Sequence, residues 1–162
     1  MTEKLLFAGQ ALLYPDTERL REMLAHLPDG ERYRALIPRP EELLREHTRL
    51  FFAPEGAPCA PWQSIYEEEP TIMGASHHSA LAWYRSAGME PVLTNEPADH
   101  IGMLLAFYAK LAAEEAGAAT LARFREEHLE WAPQYLERLE RQTRLPLLRT
   151  LARETREALI SS

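Results

Sequence analysis

The stretch PADHIGMLLAFYAKLAAEE, residues 97–115, decides the fold class. Ile101, Leu104, Leu105, Tyr108, Leu111 and Ala112 recur at steps of three and four, a wide apolar stripe on a helix of period 3.6. Pro97 suits a first helical turn, where its missing N–H costs nothing, and Gly117 supplies a stop. The spacing predicts a helix over 97–115.

The same period runs outward in both directions. Leu5, Leu6, Gly9, Leu12 and Leu13 share one face of a first helix that Tyr14-Pro15-Asp16 ends, because the residue before proline avoids the helical region. Asp16 then caps a second helix from Thr17 to about Leu27, closed by Pro28-Asp29-Gly30. A short piece follows around Tyr33–Ile37, and Pro40 opens a helix over Glu41–Phe52 with Leu43, Leu44, Leu50 and Phe51 apolar. Further helices read from Gly74 to Ala87, stopped by Gly88, and from Ala119 to His128. Trp131-Ala132-Pro133 opens another with Tyr135, Leu136 and Leu139, and Pro146 starts the last, with Leu147, Leu148, Leu151, Leu159 and Ile160. Glu90–Thr94 reads as a connector. Strand alternation is nearly absent. The expectation is an all-α, single-domain bundle of about eight or nine helices over residues 1–162.

One segment breaks the helical pattern. Ala53–Met73 carries Pro54, Pro58, Pro61 and Pro70, and repeated proline removes backbone donors and fixes φ. A loop of this length inside a compact domain is usually functional or disordered, and Trp62 and Tyr66 argue against disorder. These aromatics either wall a groove or pin the loop to the core.

Composition narrows the function. The chain has 162 residues, 46% hydrophobic and 27% charged, with a formal net charge of −7. That acidity argues against nucleic acid, whose phosphates need Lys and Arg. No apolar run approaches the ~20 residues that span a bilayer, and Met1-Thr2-Glu3-Lys4 does not open a secretory signal. Cys59 is the only cysteine, so no internal disulfide forms and a reducing cytoplasm fits.

Little supports catalysis or a cofactor. Adjacent His77 and His78 diverge by about 100° on a helix, and no metal-ligand spacing or phosphate-binding motif is present. Cys59 lacks an adjacent base, and Ser64 lacks the glycine-flanked elbow of hydrolases. The expectation is therefore no metal, no cofactor and no catalytic residue. The notable stretch is Asn95-Glu96-Pro97-Ala98-Asp99-His100-Ile101-Gly102, where one helix end presents Glu96, Asp99 and His100. Helix capping by Asn95 or Glu96, with Asp99 as first-turn acid, explains all of it except His100. Glu67-Glu68-Glu69 reads as a solvated patch or as a landing site for basic side chains.

Three segments together resemble the TorD/DmsD/NarJ family of molybdoenzyme maturation chaperones. They are Glu46-His47-Thr48-Arg49-Leu50-Phe51-Phe52, Ala60-Pro61-Trp62-Gln63-Ser64-Ile65-Tyr66 and Glu96-Pro97-Ala98-Asp99-His100-Ile101-Gly102, with Phe124, His128, Leu129, Trp131, Ala132 and Pro133 later. The resemblance implies an all-α fold. It also implies a cytoplasmic chaperone that binds the twin-arginine signal peptide or apoprotein of a molybdopterin oxidoreductase, assisting cofactor insertion and proofreading before export. It puts peptide contacts at Leu50, Phe51, Pro61, Trp62, Pro97, Asp99 and His100, expected to line one continuous groove, and Tyr66 of the loop and Glu96 of the helix start join them as candidate contacts. Domain-swapped dimers occur in the family, and the long loop leaves room for a homodimer. Gln63 and His47 depart from the family pattern, which bears on peptide selectivity. A twin-arginine peptide has two arginines followed by an apolar segment, so carboxylates would meet the guanidinium forks and Trp62, Leu50 and Phe51 the apolar part. Two other readings stay open: a small helical enzyme using Asp99 and His100 as acid and base, and a general helical scaffold.

Overall fold

The computed structural model describes residues 1–53, 56–90 and 95–162. Among them are nine α-helices and no strand beyond one isolated bridge. The helices are α1 (Thr2–Leu13), α2 (Thr17–Met23), α3 (Gly30–Arg34), α4 (Pro40–Phe51), α5 (Ala75–Ser86), α6 (Ile101–Ala113), α7 (Ala118–His128), α8 (Ala132–Gln142) and α9 (Pro146–Ser161). None of the described helices is long and apolar enough to cross a membrane.

Their ends follow local chemistry. Tyr14 is extended before Pro15 and stops α1. The Asp16 carboxylate accepts from Arg19 N–H at 3.0 Å and caps α2. Pro40, Pro133 and Pro146 sit in the first turns of α4, α8 and α9. Gly88, with φ +74°, closes α5.

Helix α6 is the central element, with Ile101, Leu104, Leu105, Phe107, Tyr108, Ala109 and Leu111 all buried. It meets α1 at a glycine pair. A Cβ on Gly9 would lie 2.7 Å from the Gly102 carbonyl oxygen, and a Cβ on Gly102 would lie 2.5 Å from that of Gly9. Only two glycines let these backbones approach so closely. On another side Phe107 packs against Tyr84 of α5 and Phe124 of α7, with ring centroids 4.9 and 5.1 Å apart. Helices α8 and α9 close the core through Leu136, Leu139, Leu147, Leu148 and Leu151.

Polar ties hold the remaining helices. The buried Glu46 carboxylate accepts from Arg49, from Thr143 Oγ1 at 3.0 Å and from Arg144 N–H at 2.5 Å, fixing α4 to the α8–α9 turn. Burial alone would raise this carboxyl; the hydrogen bonds outweigh burial and hold it below its ordinary range. Arg32 and Tyr33 of α3 both reach Glu154 of α9.

The structure corrects several sequence-based boundaries. Helix α6 starts at Ile101, not Pro97, because the backbone at 99–101 is claimed by the loop before α5. Asp99 O accepts from Gln63 N–H, Ile101 N–H donates to Pro61 O at 2.8 Å, and Trp62 and His100 form an antiparallel bridge. The cap is His100, whose Nδ1 accepts from Gly102 N–H at 3.0 Å, not Asn95 or Glu96. Glu115, with φ +55°, ends α6, while Gly117 precedes α7 as its cap. The Ala53–Met73 loop contains a 3-10 turn, Gln63–Tyr66. Leu44 and Ile160, read as apolar-face residues, are 56% and 63% exposed. Most of the Glu90–Thr94 connector lies outside the described residues.

Gly102→Ala should destabilise the protein by about 1–3 kcal/mol, the usual cost of overpacking. Gly117→Ala, which meets nothing within 4 Å, should change stability by less than about 0.5 kcal/mol. Urea unfolding of the two variants separates these outcomes.

Candidate peptide-binding site

The loop from Pro58 to Tyr66 is held down on the start of α6. Cys59 N–H donates to Leu50 O at 3.0 Å, Tyr135 Oη donates to Cys59 O at 3.0 Å, and Pro61 and Trp62 pair with the 99–101 backbone as above. Asp99 completes the anchor. Its Oδ2 accepts from Ser64 N–H at 2.8 Å and from Ser64 Oγ at 2.5 Å. Asp99 is 0% exposed, and its Oδ1 has no hydrogen-bond partner among the described residues.

Nine site residues were expected from the sequence, and they divide by depth. Leu50, Phe51, Pro61, Pro97, Asp99 and His100 are buried and form a floor that presents no surface to a ligand in this structure. Trp62 and Glu96 are partly exposed and touch each other: Trp62 Nε1 donates to Glu96 Oε1 at 2.7 Å. Tyr66 is 37% exposed but turns toward α8, stacked on Trp131 with centroids 5.3 Å apart. Sequence reading missed Phe52 as a site residue. It is 51% exposed and meets the Trp62 ring edge-on at 5.9 Å. The available signal was a second phenylalanine just past the buried face of α4. It also missed Ser64 as the partner of Asp99, a pairing across 35 residues that no local pattern announces.

The electrostatics are one-sided. Burial raises the Glu96 carboxyl above its ordinary range, and the Asp99 charge adds to this against the Trp62 N–H bond. No salt bridge reaches Glu96 or Asp99 among the described residues. Two carboxylates therefore lie together without a cation, beside the exposed edges of Trp62 and Phe52. Beneath them two histidines stay neutral. Burial drives His100 down to about 3, helped by His47, and drives His47 down to about 4, although His47 bonds the Ala11 carbonyl at 2.8 Å. His100 and Asp99 share no hydrogen bond, and their acceptor atoms serve Gly102 and Ser64 respectively. Among the described residues no three His, Cys, Asp or Glu side chains converge to hold a metal.

A second polar network ties the loop sideways. His128 accepts or donates at both ring nitrogens, to Ser79 Oγ at 3.0 Å and Gln63 Oε1 at 2.9 Å. Gln63 Nε2 donates to Glu127 O at 2.9 Å, so Gln63 links the loop to α7.

The sequence profile of the nitrate reductase delta subunit family matches residues 12–137. The chain belongs to that family. The match takes in all three segments of the site, from α4 through the loop to α6. Among curated members, the Tat proofreading chaperone DmsD of Salmonella typhi is 33% identical over 100 residues, 60% of this chain and 48% of that protein. The chaperone protein TorD of Shewanella loihica is 30% identical over 115 residues, 66% of this chain and 51% of its own. The chain thus spans about half the length of the curated relatives it matches. A crystal structure from Archaeoglobus fulgidus, described as a redox enzyme maturation protein, superposes with a TM-score of 0.75. It is 26% identical, over 98% of this chain and 93% of that one. The resemblance read from the three motifs and the all-α architecture both agree with these matches.

Two outcomes test the buried part of the site. Ser64→Ala should cost about 1.5–3 kcal/mol in urea unfolding, the loss of a hydrogen bond to a buried charge. Both histidines bind protons less readily when folded than when unfolded, where the value is about 6.5. Stability should therefore decline as pH falls from about 6.5 toward 4, by up to about 1.4 kcal/mol per pH unit for each imidazole. His100→Asn keeps a capping acceptor but cannot titrate, and should make that decline shallower in melting curves.

Proposed function

We propose that this protein is a maturation chaperone that binds the twin-arginine signal peptide or apoprotein of a molybdopterin oxidoreductase. On this reading it acts in the cytoplasm, assisting cofactor insertion and proofreading before export. The observation that carries the proposal is the unpaired acidic pair, Glu96 over Asp99, beside the exposed rings of Trp62 and Phe52. A peptide with adjacent arginines supplies the missing cations, and apolar side chains flanking those arginines cover the rings. Family membership and the names of its relatives support the same reading.

The roles follow from depth. Glu96 is the carboxylate that an incoming guanidinium reaches first. Trp62 holds Glu96 in place and offers its ring to the ligand. Asp99 adds negative potential from below while its bonded oxygen keeps the loop seated. The enzyme reading is not favoured, because Asp99 and His100 are each occupied by a different structural partner and do not face a common substrate position.

Calorimetric titration with a synthetic peptide containing two adjacent arginines and an apolar segment tests the proposal. Trp62→Ala should weaken binding about thirtyfold at every salt concentration, a loss of about 2 kcal/mol. Glu96→Gln keeps the bond to Trp62 and should weaken binding about fivefold at low salt, with a flatter salt response, since exposed ion pairs contribute only about 0–1 kcal/mol and are screened. Parental protein that does not bind the peptide, or binds it equally after both arginines become alanine, overturns the reading.

A further inference from the structure

A second surface feature lies on the other side of the residues at 96–98. Between α1, α5 and α6 runs an apolar groove of about 270 Å³, walled by Leu6, Leu13, Tyr84, Met89, Met103 and Phe107. Its volume is nearly twice the roughly 150 Å³ of an apolar cavity that accepts a benzene. It is open: Leu6 and Met89 on the rim are 36% and 39% exposed, and Met103 is partly exposed.

The position of the groove matters as much as its lining. Tyr84 Oη donates to Ala98 O at 2.6 Å, so this wall is bonded to the segment between Glu96 and Asp99. Leu13 leads directly into Tyr14, whose hydroxyl the Glu96 charge pushes up, after burial. The groove therefore ends where the unpaired carboxylates begin. At its far end Lys110 is already paired with Glu114. Negative charge stands uncompensated at one end only. Two methionines in the wall suit a ligand whose side chains vary, because an unbranched thioether repacks around different shapes.

We infer that this groove is the subsite for an apolar peptide segment directly continuous with the cationic residues bound at Glu96. The occupant is one chain with two chemistries in sequence: basic side chains at the 96–99 end, then aliphatic or aromatic ones laid between α1 and α6 toward Lys110. The inference rests on the peptide-binding reading above and assigns its apolar half to α1, α5 and α6 instead of to Leu50 and Phe51, which are fully buried. Burial of apolar surface in the groove would then supply most of the affinity, and Glu96 the register.

The experiment uses two synthetic peptides, one with two arginines followed by about ten apolar residues and one truncated after the arginines. The longer peptide carries a photo-reactive leucine in its apolar part. Ala106 lies on the groove floor and is partly exposed, so Ala106→Phe fills the groove, and Leu6→Gln makes its rim polar without adding bulk. The longer peptide should bind the parent at least tenfold more tightly than the truncated one. Either variant should remove most of that advantage while leaving the truncated peptide's affinity unchanged, and cross-links should fall on α1, α6 and Met89. Cross-links confined to Phe52 and Trp62, with both variants binding the longer peptide like the parent, would overturn the groove assignment and leave the peptide-binding reading intact. Failure of the parent to bind either peptide would overturn both.

Discussion

Asp99 is the residue on which the arrangement turns. A fully buried carboxylate is costly unless it is bonded, and among the described residues only Ser64 bonds it, through two donors on one oxygen. That constraint seats a loop more than twenty residues long on the end of α6, and everything at the surface follows from the seat. Pro61 and Trp62 pair with the 99–101 backbone because Ser64 is held two positions on. Trp62 then reaches Glu96 and meets Phe52 edge-on. The second Asp99 oxygen has no hydrogen-bond partner among the described residues.

The same constraint explains why α6 begins late. Helical backbone from Pro97 would direct the 99–101 groups along the helix axis, where they could not serve the loop. His100 instead adopts an extended conformation and caps α6 with its own ring nitrogen. The imidazole must stay neutral for that bond, and complete burial beside His47 keeps it so. A motif that reads as an acid and a base is, in the folded protein, an anchor and a cap, and the neighbours left partly exposed are Glu96 and Trp62.

The motif divides into two layers by burial. The lower layer of Leu50, Phe51, Pro61, Pro97, Asp99 and His100 has no exposed surface and is packed like the rest of the core. The upper layer of Phe52, Trp62 and Glu96 keeps apolar surface and charge in contact with solvent. The groove between α1, α5 and α6 belongs to this upper layer too. Gly9 and Gly102 bring the α1 and α6 backbones together beneath it, and Leu6, Leu13, Met89 and Met103 stand at its walls.

Helix periodicity, proline positions and the Asp16 cap are local facts, set within a few residues by backbone geometry, so the all-α class and most helix limits were legible in the amino-acid order alone. The motif segments at 46–52, 60–66 and 96–102 could likewise be picked out in the amino-acid order. Depth was not legible. Which side of Asp99 faces Ser64, that Phe51 is buried while Phe52 is exposed, and that Glu96 meets Trp62 across 34 residues depend on how α4, the loop and α6 converge. Those distances are fixed by packing between elements remote in sequence, and no periodicity within one element encodes them.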